Sequence, residues 1–255
     1  MKIKKIPYHE PFHSLLQRYW HFIPKPIRVY ANPVIMKISQ RKYSNIFSLG
    51  PNCLSALTLK AVSLRRYSGP FDWIYGSTID ERLKLILNDF NGFLKKEDFI
   101  IRENILDKKM KTYDAINQKT KFGFPHDFYS RDIDECFSEI NEKYRRRISR
   151  LNEKLRNSSS LILYVVENKE EIDLIKLGDL LKKIKEKSNC KKLDLCYIFL
   201  GKTEEEKGEV VLFEKDIAIY FIELKKSSTG TQGWWTDNRY THSEISRWIN
   251  TICTL

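Results

Sequence analysis

The chain has 255 residues, of which 42% are hydrophobic and 31% are charged, and this composition can build one sizeable core. No segment approaches the ~18 to 20 consecutive apolar residues that a membrane-spanning helix needs, and the start Met-Lys-Ile-Lys-Lys is not followed by an apolar signal segment. These features exclude a membrane-spanning protein and predict a globular, cytoplasmic one.

The formal net charge of +12 is concentrated near the beginning of the chain. Residues 1–42 contain nine Lys or Arg and a single acidic residue, and aromatic and aliphatic side chains are interleaved with them. Three prolines favour an extended strap after one short helix. We therefore interpret 1–42 as a basic N-terminal arm and 43–255 as a single α/β domain of catalytic type.

This arm has several possible contacts. It could pack on its own domain, or it could contact a partner protein or an anionic membrane surface, which would place the protein at the inner face of the membrane. Nucleic acid is not expected, because no nucleic-acid-binding motif accompanies the positive charge.

The first predicted element of the domain leads to a cysteine. The uncharged run at 46–49 predicts a buried strand, Gly50-Pro51 ends it, and Asn52 is a favourable N-cap for a helix that begins at Cys53. A thiol at this position lies near unpaired backbone N–H groups and the positive helix end, which favour thiolate and lower the pKa. Cys53 is thus a candidate nucleophile, with Asn52 and the backbone N–H of Cys53 as oxyanion donors. The alternative is a small core residue on the buried side of the helix.

The next elements are a helix predicted over 78–89 and an irregular antiparallel β excursion around 98–125. A long amphipathic helix follows, and its apolar stripe extends from Phe137 to Leu155. Arginines are clustered on its other face. Arg147 and Arg150 are candidates for binding a phosphate or a sugar acid, although charge runs on helices usually face water.

The second half of the chain alternates strand and helix. Strands are predicted at 161–166, 193–200 and 217–222, with a helix from Leu174 to Ile184 and a closing helix near the C-terminus. Such alternation predicts right-handed crossovers and a three-layer α/β fold, in which a largely parallel sheet is flanked by helices. Ligands of such sheets bind at the carboxyl ends of the strands, and Cys53 follows the carboxyl end of the first one.

Several short motifs are shared with a known family. They are Ser48-Leu49-Gly50, Asn52-Cys53, Pro70-Phe71-Asp72-Trp73, His126-Asp127-Phe128 and, more weakly, Tyr144 to Ile148 with Arg150. Together, over roughly 45–225, they resemble a bacterial and viral family of unknown function described as papain-like cysteine peptidases. The resemblance implies a cysteine-dependent enzyme with Cys53 as nucleophile and His126 as base. It also implies a papain-like antiparallel sheet, whereas the strand and helix alternation favours a parallel one.

The base and its orienting carboxylate remain open from the residues alone. His126 follows Pro125 and is expected in a loop, while His242 is expected at the first position of the closing helix, where the positive helix end favours neutral imidazole. Asp237 and His242 after a parallel sheet also resemble the end of SGNH-type hydrolases, although their spacing is Asp-x4-His. Candidate orienting carboxylates are Asp72, Asp127 and Asp237. For Asp72 the alternative is a turn residue that caps its own backbone.

Together these features predict a cysteine-dependent hydrolase or acyltransferase with a Cys/His/Asp site and a peptide, an amide or an acylated glycan as substrate. The alternative is a non-catalytic phosphate- or glycan-binding module associated with the cytoplasmic membrane surface through the basic arm. The five cysteines include no C-x-x-C pair, and neither a phosphate-binding glycine loop nor a dinucleotide fingerprint is present. We therefore predict reduced thiols, no metal and no cofactor.

Overall fold

The computed structural model describes residues 2–5, 42–61, 63–103, 113–167, 170–201, 207–225, 244–245, 247–249 and 251–252. The strands are β1 (Lys2–Lys5), β2 (Asn45–Ser48), β3 (Phe99–Glu103), β4 (Tyr113–Asn117), β5 (Gly123–Phe128), β6 (Ser159–Val166), β7 (Lys192–Gly201), β8 (Lys207–Glu214) and β9 (Ile217–Lys225). The helices are α1 (Leu54–Ala61), α2 (Ile79–Leu87), α3 (Ile133–Leu155) and α4 (Leu174–Ser188), with a short 3₁₀ helix at Lys96–Asp98. Further helical residues lie within 244–252.

Six strands form the main sheet in the order β1-β8-β9-β7-β6-β2. The neighbours β2, β6, β7 and β9 run parallel, whereas β8 pairs antiparallel with β9, and β1 antiparallel with β8. The predicted largely parallel sheet is therefore confirmed. The helix after Cys53 packs against this parallel sheet, and not against the antiparallel sheet that the resemblance to papain-like enzymes implied. The sequence interpretation included neither β8 nor the strand β1 within the arm.

The sheet is buried on both faces, which is why its central strands are continuous apolar runs. Along β6, side chains such as Ile162 and Tyr164 contact a core shared with α2, α3 and α4. The alternate side chains, such as Leu163, contact the opposite core, which contains α1 and the buried Trp248. Helices thus cover both faces and give three layers, as predicted.

The second sheet has three antiparallel strands in the order β3-β4-β5. It corresponds to the β excursion predicted around 98–125, and its phenylalanines, including Phe124 and Phe128, join the core shared with α2 to α4. The strand β5 extends through His126, so the loop expected at this histidine is wrong. Because β5 lies at the edge of its sheet, the strand tolerates Pro125.

Local sequence explains where the helices begin. The Thr78 and Glu81 side chains form a capping box at the start of α2. The Asp132 carboxylate accepts a hydrogen bond from Asp134 N and caps α3. The helix α1 is assigned from Leu54, one residue later than predicted.

The proposed division into an arm at 1–42 and a domain at 43–255 stays a prediction, because 6–41 lie outside the described residues. Among the residues that the structure describes, no helix has the length and apolar character to cross a membrane.

Candidate active site around Cys53

Cys53 lies in the turn that connects the carboxyl end of β2 to α1. The Asn52 side-chain oxygen accepts a hydrogen bond from Leu54 N at 2.8 Å, and Leu57 N donates to the Cys53 carbonyl at 2.9 Å. Asn52 therefore caps the first turn, as its residue type predicts. Cys53 is placed at the carboxyl edge of the parallel sheet, where open α/β sheets bind their ligands.

A buried arginine stabilises this turn through hydrogen bonds to backbone carbonyls. The Arg82 guanidinium donates to the carbonyls of Leu49, Pro51 and Gly76 at 3.2, 3.3 and 2.5 Å. Burial lowers the pKa of Arg82 to about 10, so the side chain remains charged at neutral pH. Its Nε has no hydrogen-bond partner among the described residues. Sequence reasoning missed this residue, although an arginine within the apolar stripe of α2 was a visible signal.

Two small residues fix α1 against the sheet. The Ser55 hydroxyl accepts a hydrogen bond from Val165 N at 2.8 Å, where β6 extends beyond the end of β2. Gly50 passes so close to Ser55 that a Cβ at this position would lie 2.0 Å from the Ser55 hydroxyl oxygen. The turn before Cys53 therefore requires glycine for reasons of space, and its geometry is set by buried contacts.

Cys53 differs from the other described cysteines in its accessibility. Its side chain is partly exposed, whereas Cys136, Cys190 and Cys196 are buried, and all four are free thiols. Burial nevertheless raises the pKa of the Cys53 thiol, and its own backbone N–H offsets that rise only in part. The expected lowering of this pKa by the helix start is therefore wrong, because desolvation of the thiolate outweighs it.

Asp72 is buried and fully engaged by neighbouring groups. Its Oδ1 accepts from the Ser48 hydroxyl at the end of β2. Its Oδ2 accepts from Arg65 Nε and Nη2 at 3.0 and 2.6 Å, and from Gly69 N at 3.0 Å. The bond from Gly69 is the turn-capping contact proposed as the alternative. The Arg65 pair, which sequence reasoning missed, supplies the countercharge that a buried carboxylate needs.

His126 is exposed and lies beside an aromatic ring. Its imidazole contacts Trp73 edge to face, with ring centroids 6.1 Å apart. The Arg65 guanidinium lies over the same indole, 5.2 Å from the ring centroid. Within the described residues, the Cys53 sulfur has no hydrogen bond to this imidazole.

Asp127 neighbours His126 in sequence, but its side chain is buried on the other side of β5. Its carboxylate accepts from Lys143 Nζ and, at 2.6 Å, from the Tyr144 hydroxyl. Both partners belong to α3. Both oxygens of the Asp127 carboxylate therefore bind α3, and they join this helix to the small sheet.

The two candidate binding arginines lie half-buried along α3. The Arg147 guanidinium lies over the Tyr144 ring, 5.0 Å from the ring centroid. Its Nη1 is buried and has no hydrogen-bond partner among the described residues. The rival site residues Asp237 and His242 lie outside the described residues.

Comparison with known protein families gives one match. The model of a family described as "Putative papain-like cysteine peptidase (DUF1796)" matches residues 44–204. The chain belongs to this family. No curated protein and no solved structure matches the chain.

The matched region of this papain-like cysteine peptidase family contains Cys53, Asp72, His126 and Asp127, whereas Asp237 and His242 follow it. The family assignment predicted from the motifs is therefore confirmed. The family description names a peptidase class and no substrate.

One cavity lies away from Cys53. It has a volume of about 700 Å³ and lies between the turn after α2 and one side of α3, where Phe90, Arg145 and Arg156 contribute to its lining. Among the described residues, no group of His, Cys, Asp or Glu side chains has an arrangement that could hold a metal ion.

Proposed function

We propose that this protein is a cysteine-dependent hydrolase or acyltransferase in which Cys53 is the nucleophile. The observation that carries the proposal is the position of Cys53 at the carboxyl edge of the sheet, partly exposed in a turn fixed by Arg82 and Ser55. A preorganised and accessible thiol is what covalent catalysis requires. The family description supports the same class.

The proposed base is His126, with His242 as the second candidate. A chain of contacts supports His126, because Ser48 on β2 binds Asp72, Asp72 binds Arg65, and Arg65 shares the Trp73 ring with the imidazole. This chain links the histidine to the strand that leads to Cys53. In this arrangement Asp72 is a positioning residue that acts through Arg65 and Trp73.

The raised pKa of Cys53 determines how the reaction would begin. The imidazole removes the thiol proton as the sulfur attacks a carbonyl carbon, and a C–S bond forms. The Asn52 amide nitrogen is the proposed donor to the resulting oxyanion, because its oxygen is held by the helix cap. Collapse expels an amine or an alcohol, which takes the proton from the imidazolium. Water or a second nucleophile then attacks the thioester carbonyl and gives its proton to the imidazole. The C–S bond breaks, the acyl product leaves, and the imidazolium returns the proton to the Cys53 sulfur.

The proposal leaves a peptide, an amide or an acylated glycan as the substrate. Contact of the basic arm at 1–42 with a partner protein or an anionic membrane surface also remains a proposal. Its sole support is the concentration of positive charge in the sequence.

A chromogenic ester tests the nucleophile without knowledge of the substrate. The full chain is incubated with p-nitrophenyl acetate, nitrophenol release is followed, and the acetylated residue is mapped by mass spectrometry. We expect one acetyl group on Cys53, no such adduct in Cys53→Ala, and ~10²-fold slower release or more in the variant that lacks the base, as is typical of general base catalysis. Acetylation of lysines alone, at a rate unchanged in Cys53→Ala, would sink the proposal.

His126→Gln and His242→Gln, compared in the same assay, identify the base. The proposal expects the loss in His126→Gln. A loss confined to His242→Gln would transfer the role to that residue.

A further inference from the structure

The side of α3 that faces Asp127 carries three cations at spacings of four and three residues. They are Lys143, Arg147 and Arg150, and all three are half-buried. Such spacing places them next to one another on the helix surface. Lys143 has a carboxylate partner, whereas Arg147 and Arg150 have none among the described residues.

Lys143 is neutralised by Asp127, whose second oxygen is taken by the Tyr144 hydroxyl. The other buried carboxylate of this region, Asp72, is neutralised by Arg65. Among the described residues, no ion pair or hydrogen bond joins a carboxylate to Arg147 or Arg150, whereas Lys143 and Arg146 each have one.

The environment of the two arginines makes this absence costly. The Arg147 guanidinium lies over the Tyr144 ring, and its buried Nη1 has no acceptor within the described part of the chain. Arg150 lies close enough to Tyr67 to oppose the rise in pKa that burial causes for this phenol. A buried N–H without an acceptor costs about 1 to 3 kcal/mol, and more when it is charged. A bound anion would supply the acceptor that the described residues do not provide.

We propose that Arg147 and Arg150 bind the phosphate group of a phosphate monoester. A phosphate monoester carries a charge of about −1.5 to −2 at pH 7, which the guanidinium groups of Arg147 and Arg150 together balance. The planar guanidinium donates two parallel hydrogen bonds to phosphate oxygens, so Arg147 Nη1 gains the acceptor it lacks. A single carboxylate would leave one of the two charges unbalanced. The site goes beyond the acyl-transfer chemistry proposed for Cys53 and does not depend on it.

Calorimetric titration of the full chain with inorganic phosphate tests the site, with acetate as the monoanionic control. The variants are Arg147→Gln and Arg150→Gln. Arg146→Gln is the matched control, because Arg146 belongs to the same cluster but is exposed and pairs with Glu142. We expect each test variant to bind phosphate about tenfold to a hundredfold more weakly, which is the effect of losing hydrogen bonds to a charged group. Arg146→Gln and Cys53→Ser should bind as the unmodified chain does.

Thermal unfolding separates binding from a structural role. Without phosphate, Arg147→Gln should unfold at the same temperature as the unmodified chain or above it, because the change removes an uncompensated cation. With phosphate, only chains that retain both arginines should gain stability. Equal phosphate affinity in all variants, absence of phosphate binding at millimolar concentration, or affinity for acetate equal to that for phosphate would overturn the proposal.

Two probes then identify the source of the phosphate group. They are glycerol 3-phosphate and phosphatidylcholine vesicles that contain phosphatidic acid. Arginine-dependent binding of glycerol 3-phosphate alone supports a soluble monoester, and arginine-dependent binding of the vesicles supports a lipid headgroup. Binding of both probes that survives in Arg147→Gln and Arg150→Gln would count against the site.

Discussion

Cys53 and His126 lie in two regions that are fixed in opposite ways. The turn at Cys53 is held from below by the buried Arg82 and is joined to the main sheet through Ser55. The side chain of His126 is exposed on the small sheet, where the contact described for its ring is with Trp73. The position of the proposed nucleophile is therefore part of the folded core, whereas the position of the proposed base is set at the surface. Preorganisation is strong on the sulfur side of this site and weak on the imidazole side.

The largest expected effect follows from removing the support of the turn. Arg82→Met leaves the Leu49, Pro51 and Gly76 carbonyls without their donor, so we expect a loss of about 3 kcal/mol in the free energy of unfolding. Urea unfolding measures it. Lys84→Met, on the exposed side of the same helix, is the control and should change stability by about 0.5 kcal/mol or less. Similar values for the two variants would contradict a structural role for Arg82.

The second effect concerns the link between the two regions. Asp72→Asn keeps the volume of the side chain but leaves the partly buried Arg65 without its countercharge, so we expect a loss of about 2 kcal/mol in unfolding free energy. Asp80→Asn breaks a pair with the exposed Lys176 and should cost less than about 1 kcal/mol. If both variants unfold at the same urea concentration, the pair of Asp72 with Arg65 contributes no more to stability than the pair of Asp80 with the exposed Lys176.

The third effect tests the close approach of backbone and helix in the cysteine turn. Gly50→Ala introduces a Cβ 2.0 Å from the Ser55 hydroxyl oxygen, and overpacking of this kind costs about 1 to 3 kcal/mol. In Gly69→Ala the nearest atom would be an Asp72 oxygen at 3.3 Å, so a smaller loss is expected. Urea unfolding of the two variants compares them. An unaffected Gly50→Ala variant would mean that the turn is less tightly packed than described.

The fourth effect is the pH dependence of Cys53 alkylation by iodoacetamide. Burial raises the pKa of this thiol, so the thiolate fraction at pH 7 is smaller than for a free cysteine. We expect the alkylation rate to rise about tenfold per pH unit, and to continue rising beyond the pKa of an exposed thiol. Cys53→Ser corrects for the other cysteines. A rate plateau below pH 8 would indicate a resting thiolate, as the helix start alone predicts.

The smallest expected effect is the change in stability on replacing the exposed His126. His126→Gln removes an exposed imidazole whose described ring contact is with Trp73, so stability should change by about 0.5 kcal/mol or less. Thermal unfolding measures the change. A loss comparable to that of Arg82→Met would show that His126 is a structural residue, and the proposed base would then have to be His242.

The fold was predictable where one periodicity dominated. The strand β6 is a continuous apolar run and α3 has a long apolar stripe, so both were recognised from sequence. The strand β8 was not, because its residues are mostly polar outside Val210 to Phe213 and it pairs through a register shift. His126 was assigned to a loop because Pro125 suggests a break, which an edge strand does not require.

The candidate site was predictable as residue types and not as contacts. Capping chemistry identified Asn52, and the strand end before it identified the location of Cys53. Local sequence contains no signal that Asp72 binds Arg65, or that Arg82 extends from α2 to the cysteine turn, because these contacts are set by tertiary packing. The direction of the Cys53 pKa was missed for the same reason, since desolvation depends on the atoms that surround the sulfur.

The strand β1 has a consequence for how folded molecules meet one another. It covers one edge of β8, a strand with Val210, Val211 and Leu212 that would otherwise present unpaired backbone groups to a second sheet. The outermost strand of the sheet on this side is therefore β1, which is only four residues long and contains three lysines. Short, lysine-rich edge strands disfavour pairing with a further strand, so β1 protects this edge of the sheet against self-association.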